Sequence, residues 1–238
     1  MAKVKPSLIE YSGAVGREVH YTRFGRTYSR QLPAEYNDRK SEAQLRQRAL
    51  FKARQKTAAL FGSILQRGLT QEAHENGMTE ANYFSRLNKD CFVYDNGEVH
   101  IDYPALLVAR GPLPEVEFTR CQVNSLHIEL AFRPCLEEDK ARPDDVVHIY
   151  AVSPQAEICQ LVASVERKER QVTFDLPYLS DEVDGSTTIT FYLYAIVESS
   201  STASTPTLSA AEKQRNKQHR NINRRVSKSV SVGVVTVN

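Results

Sequence analysis

From about residue 91 onward, apolar side chains recur at every second position in short runs, and few folds accept that arrangement. The runs lie near 92–94, 99–101, 105–110, 115–120, 124–132, 146–152, 157–164, 171–176, 187–198 and 228–237. Asp95-Asn96-Gly97, Gly111-Pro112, Arg142-Pro143-Asp144, Ser153-Pro154 and Asp184-Gly185 punctuate them as turns. Regular short strands with such punctuation predict an antiparallel, immunoglobulin- or fibronectin-III-like β-sandwich over 91–238. Ile189, Phe191, Leu193, Ala195 and Val197 share one face, which predicts a central strand, and Val230, Val232 and Val234 repeat the alternation at the end. The 199–227 connection between them opens Ser/Thr-rich, closes on the basic run KQRNKQHRNINRR, and is long for a hairpin loop.

The first 90 residues read differently. Residues 14–32 predict a β-hairpin: Val15, Val19 and Tyr21 share a parity on the first arm, and Arg23-Phe24-Gly25-Arg26 supplies the turn. Tyr28, Arg30 and Leu32 share a parity on the second arm, which Pro33 ends. Ser41 with Gln44 predicts a capped helix over 41–67, whose apolar stripe runs through Leu45, Ala49, Ala53, Leu60 and Ile64. A second helix is predicted from about Thr79 to Lys89, with Ala81, Phe84 and Leu87 or Asn88 inward, so that the two helices form an αα-hairpin. The expected architecture is therefore α+β, mainly β, divided into 1–90 and 91–238.

The 238 residues carry a formal net charge of only +2, but the charge is segregated. Residues 1–56 hold 13 Lys/Arg against 5 Asp/Glu, a net of +8. Residues 57–212 hold 11 against 24, a net of −13, and 213–238 hold 7 basic residues and no acidic one, a net of +7. Basic ends flank an acidic middle, which fits polyanion binding, attraction between neighbouring copies, or plain solvated faces. The basic tip at Lys3 and Lys5 is not followed by an apolar stretch, and no run reaches the roughly 20 residues a bilayer requires. Ala2 excludes N-myristoylation, so a cytoplasmic protein with no membrane partner is expected. Cys91, Cys121, Cys135 and Cys159 contain no CxxC pair and read as reduced, buried thiols.

Catalytic signatures are missing from the sequence: it holds no GxxxxGK[ST], GxSxG, HExxH or GxGxxG. His20, His74, His100, His127, His148 and His219 lack metal-ligand spacing, and Asp181-Glu182-Val183-Asp184-Gly185 lacks the alternating carboxylates of a calcium loop. No enzyme, metal, cofactor or small-molecule substrate is expected. Two basic segments are candidate polyanion or partner surfaces. On the hairpin, Arg17, Arg23, Arg26 and Arg30 alternate with aromatic residues that include Phe24 and Tyr28, a combination suited to phosphates and bases. Their other reading is aromatic core with solvated arginines. Near the C-terminus, Arg215, Lys217, Arg220, Arg224 and Arg225 form an arm that could condense on polyanions or simply solubilise the chain.

GAVGREVHYTRFGRTYSR, SEAQLRQRALFKA and the closing SVSVGVV together resemble a large family of uncharacterised Bacteroidota proteins. That resemblance spans nearly the whole chain and implies a hairpin, a helix and a C-terminal β-sandwich, with no activity or site to carry over. Members place a proline before the helix where this chain reads Asn37-Asp38-Arg39-Lys40. Similar openings occur in prophage-encoded proteins. The expected function is a non-enzymatic structural, assembly or protein-interaction role of phage or mobile-element type, through charge-complementary self-association. The alternative is a nucleic-acid-binding accessory protein using the basic hairpin and the 213–228 arm.

Overall fold

The computed structural model describes residues 2–4, 13–23, 26–35, 38–124, 126–134, 141–177, 189–200 and 226–237. It is α+β, mainly strands, and every sheet is antiparallel. Two compact units divide after Leu45, not after residue 90, because the helices that follow share one core with the larger sheet. Among the described residues no helix is long and apolar enough to cross a membrane.

The first unit is a four-stranded sheet, β1 (Ala2–Val4), β2 (Gly13–Val15), β3 (Glu18–Arg23) and β4 (Arg26–Gln31), in the order β1-β4-β3-β2. The expected hairpin is its middle, with Arg23 opposite Arg26. Its first arm is broken, however: Gly16 takes φ +59° and turns the chain so that Val15 pairs with Glu18. Ser41 and Gln44 form the expected capping box, with Gln44 N donating to Ser41 Oγ at 3.4 Å and Ser41 N to Gln44 Oε1 at 3.2 Å.

In the second unit the expected single helix over 41–67 is two, α1 (Glu42–Leu60) and α2 (Gly62–Gly68), followed by α3 (Thr70–Glu75) and α4 (Glu80–Leu87). Of the expected stripe, Ala53 and Leu60 pack against the core and Ile64 is buried in it. Leu50, Thr57 and Ala58 are buried, whereas Leu45 is 48% exposed. A short hairpin follows, β5 (Phe92–Asp95) with β6 (Glu98–Ile101). Seven longer strands then make two sheets. One contains β7 (Glu117–Asn124), β8 (His127–Arg133) and β11 (Gln171–Asp175) in the order β11-β8-β7. The other contains β9 (Val146–Ser153), β10 (Ile158–Glu166), β12 (Ile189–Glu198) and β13 (Val230–Val237) in the order β10-β9-β12-β13.

The two inner strands of this sheet, β9 and β12, are buried on both faces. Phe191, Leu193, Ala195 and Val197 of β12 pack with Val147, Ile149 and Ala151 of β9 against Ile128, Leu130 and Phe132 of β8. On the opposite face Tyr194, Ile196, Tyr150 and Val152 pack against Phe61, Ile64, Leu65 and Phe84 of the helical layer. β12 is thus the central strand its alternation predicts, and the intervening residues are buried as well.

Residues 105–110 are not the expected strand. They form a strap held by side chains instead of a ladder. Asn88 Nδ2 donates to the Leu107 carbonyl at 2.9 Å, Leu107 N donates to Asn88 Oδ1 at 2.7 Å, and Val108 N donates to Ser229 Oγ at 2.9 Å. The strap passes Gly68 so closely that a Cβ there would lie 2.5 Å from the Ala109 Cβ.

One buried ion pair ties the loops at one end of the two sheets. Arg167 and Asp145 are both fully buried, with Nε 3.6 Å from Oδ2. The guanidinium also donates to the carbonyls of Pro134 and Pro114, each at 2.7 Å. The Asp145 carboxylate in turn accepts from Arg142 N at 2.9 Å. Arg167→Ala leaves a buried carboxylate without its counter-ion and two carbonyls without their donor. It should cost about 3–5 kcal/mol in urea unfolding. Lys168→Ala next to it removes only an exposed pair and should cost no more than ~1 kcal/mol.

Candidate functional site

Strand register sorts the first unit's side chains by face. Across β3 and β4, Val19 faces Arg30 and Tyr21 faces Tyr28 on one side of the sheet, and Arg23 is the register partner of Arg26. Lys3 of β1 occupies the position beside Tyr28, and Ala14 of β2 the position beside Val19. The two tyrosine rings stack with centroids 5.5 Å apart and planes at 20°. Both are half-buried, and Arg30 is exposed. The other side carries Glu18, His20, Thr22, Thr27, Ser29 and Gln31. There Ser29 Oγ donates to Glu18 Oε2 at 3.4 Å, and the Thr22 and Thr27 hydroxyls meet at 3.1 Å. The single carboxylate of β3 and β4 thus lies on the face without the tyrosines.

Of the residues the sequence singles out, Tyr28 and Arg30 lie on this face, and Arg23 and Arg26 are register partners at the end of the same hairpin. Arg17 is exposed in the turn between β2 and β3 and is not part of it. Phe24, Arg215, Lys217, Arg220, Arg224 and Arg225 lie outside the described residues. Alternation in the sequence implies the two-faced sorting. The direct opposition of Tyr21 to Tyr28 becomes visible only once the turn fixes the register.

The second unit holds a polar cluster that sequence reasoning missed. His148 of β9 pairs across the sheet with Ser164 of β10 and Ile196 of β12, and Glu198 lies two residues beyond Ile196 on the same face. Arg67 of α2 reaches this corner. Its Nη1 lies 2.6 Å from His148 Nε2 and 3.0 Å from Glu198 Oε2. His148 Nε2 also lies 3.2 Å from Glu198 Oε2, and its Nδ1 lies 2.8 Å from Ser164 Oγ. The cluster borders an open cleft of about 420 Å³ lined by Ser63, Gln66, Arg67, Cys159 and Gln160. The signal in the sequence was His148 inside an otherwise apolar strand, VVHIYAV, which demands partners once buried.

A third feature is a sheet edge. Among the described residues β13 ends its sheet, and it carries no charged residue from Val230 to Val237. Between it and β7 runs a groove of about 810 Å³ lined by Gly111, Pro114, Glu115, Glu117, Lys228 and Val232. Glu117 is paired with Arg133 at 3.2 Å, and both are exposed. Gly111 lets the segment before β7 approach so closely that a Cβ there would meet the Val226 carbonyl oxygen at 2.2 Å.

Among the described residues no three His, Cys, Asp or Glu side chains gather where a metal ion could be held. Comparison of the chain with protein-family models, curated proteins and solved structures returned no match.

Cys91, Cys121 and Cys159 are free, and burial pushes each thiol above its ordinary value. The nucleophile is the thiolate, so alkylation by iodoacetamide should be slow at neutral pH and accelerate as pH rises through and beyond the usual thiol range. Cys121, the exposed one, should be modified first when sites are followed by peptide mass spectrometry.

Proposed function

We propose that the chain is a non-enzymatic assembly or protein-interaction protein of phage or mobile-element type, whose second unit is an immunoglobulin- or fibronectin-III-like sandwich. Strand order supports the sandwich reading. Of the seven strands from β7 to β13, the first, second and fifth share one sheet and the other four share the second, around a common apolar core. A non-enzymatic role is supported by His148, whose ring nitrogens are engaged by Arg67 and Ser164.

The observation that carries the interaction reading is the edge at β13. Natural sheets protect their edges with charge, proline or bulges. β7 carries Glu117 and Arg120, and β10 has a register shift between Leu161 and Ala163. β13 also has a register shift, near Val232, but offers neither charge nor proline from there to Val237. Among the described strands none lies on the outer side of β13, and a groove runs beside it, the arrangement that strand addition uses.

The occupant we assign is a second copy of the chain, drawn by the opposite charges of Glu115 and Glu117 in the groove and of the basic 213–225 run in the sequence. That run holds 6 Lys/Arg and no carboxylate, so the pairing is charge-complementary. Such a contact joins two different surfaces and therefore closes into rings or propagates as filaments.

Size-exclusion light scattering between 50 mM and 500 mM salt tests this. Particles well above the 26.9 kDa of one chain are expected at low salt, shrinking as salt rises. Val234, 50% exposed on β13, is the position for a blocking charge, and Val234→Lys should leave a monomer at every salt concentration. A wild-type chain that stays monomeric at low salt and high concentration contradicts the reading.

A further inference from the structure

In the second unit α1, the end of β6 and the turn between β9 and β10 surround a cavity of about 360 Å³ that shares no residue with the β13 groove. Ala53 and Leu60 of α1, Ile101 of β6, Tyr103 and Pro154 form its apolar and aromatic walls. All five are half-buried. The core covers one side of Ala53, Leu60, Ile101 and Tyr103, and the cavity takes the other. The Tyr103 ring is held from behind, stacked on Tyr192 with centroids 4.8 Å apart and planes at 28°. The turn is pinned as well: Gln155 Oε1 accepts from Thr190 N at 2.9 Å, and Ser153 Oγ accepts from Ala156 N at 3.4 Å. A preformed concave wall of this kind with a few polar groups is what a small-molecule site needs.

Those polar groups sit on the solvent side. Lys56 and Glu157 line the same cavity, are 77% and 69% exposed, and form an ion pair with Nζ 3.0 Å from Oε1. Glu157 holds φ +53°, a left-handed conformation that glycine adopts without strain and glutamate does not. The turn by itself would be better served by glycine; what glutamate adds is a carboxylate opposite Lys56. An exposed pair contributes little to stability, so the fold is not what it serves.

We propose that this cavity binds a small uncharged ring compound carrying one hydrogen-bonding group, such as an indole or a phenol, with the ring against the apolar walls and the polar head at Lys56 and Glu157. The volume lies near the lower end of the roughly 300–1,000 Å³ of ligand pockets, which suits one or two rings. A charged head would meet a like charge as well as an opposite one at the mouth. An uncharged head accepts from another of the three N–H groups of the Lys56 ammonium, or donates to the Glu157 carboxylate, and leaves the pair together. The role is binding, and no reaction is assigned to it. The sequence leads to no such ligand because the walls come from three separate segments.

The chain contains no tryptophan, so indole fluorescence excited beyond the tyrosine absorption reports the ligand alone. Titration of the full chain with indole, indoleacetate and tryptamine as separate probes tests the proposal. Indole should bind saturably with its emission shifted to shorter wavelength, and the acid and the amine should each bind about tenfold more weakly. Ala53→Phe, which fills the cavity from α1, should abolish saturable binding while the circular dichroism stays that of wild type. Glu157→Gly relaxes the backbone and should keep the thermal midpoint close to or above wild type. It should also bring indoleacetate to at least the affinity of indole, because Lys56 has lost its partner.

Absence of saturable binding by all three probes overturns the site. Unchanged indole binding in a folded Ala53→Phe does the same, since the ligand then sits elsewhere. If that variant does not fold, Glu157→Gly decides: indoleacetate bound no more tightly there than by wild type contradicts the assignment of Lys56 and Glu157. A wild-type preference for the acid or the amine overturns the uncharged head.

Discussion

β9 and β12 carry apolar or aromatic side chains on both of their faces, and each face demands a cover. The three-stranded sheet covers one, through Ile128, Leu130 and Phe132, and the helical layer covers the other, through Phe61, Ile64, Leu65 and Phe84. Each large side chain so buried contributes roughly 1.5–3 kcal/mol, so neither cover is dispensable. The rest of the second unit follows from this double demand. The strap over 105–110 crosses between helices and strands outside any named strand, so Asn88 and Ser229 supply side-chain hydrogen bonds beside the backbone ones to Gly68 and Ser229. Arg67, His148, Ser164 and Glu198 make up a polar corner beside this layer. A helix-borne cation meets a strand-borne carboxylate there, and no polar group need be buried without a partner.

That constraint also explains what the sequence disclosed and what it concealed. The mainly antiparallel β character, the position of β12 and the capping box at Ser41 follow from local spacing, and each is seen. The two-sided burial of β12 was also written in the chain, as the nearly unbroken apolar run ITFYLYAIV, but period-two alternation captures only one of its faces. The start of the stripe on α1 was misplaced because little of the helix's first half is buried: Leu45 and Phe51 are exposed while Leu50 is buried. The break at Phe61 has no proline or cap to announce it. It lets Phe61, fully buried, meet the Tyr194 ring edge-on at 5.5 Å, a tertiary demand that local propensity does not encode.

The candidate surfaces were unevenly legible. Arginines and aromatics alternating over residues 17–30 pointed to the first unit, yet the expectation could not separate a binding face from a core face. Register decides the geometry, with tyrosine across from tyrosine and the carboxylate on the reverse side. The His148 cluster was illegible because its members come from α2, β9, β10 and β12, and no spacing in the sequence connects Arg67 to Glu198. The edge at β13 was readable as a strand, but its place at the end of a sheet belongs to topology.

Two-sided burial of the central sheet is the claim on which this account of the second unit stands, and native-state hydrogen exchange measured across low denaturant addresses it most directly. Amides of α2 and α4 should open with the same free energy as those of β9 and β12, because the helices and strands share one core. Helices that exchange freely while β9 and β12 remain protected would contradict it, and would make the helical layer an appendage to a self-sufficient pair of sheets.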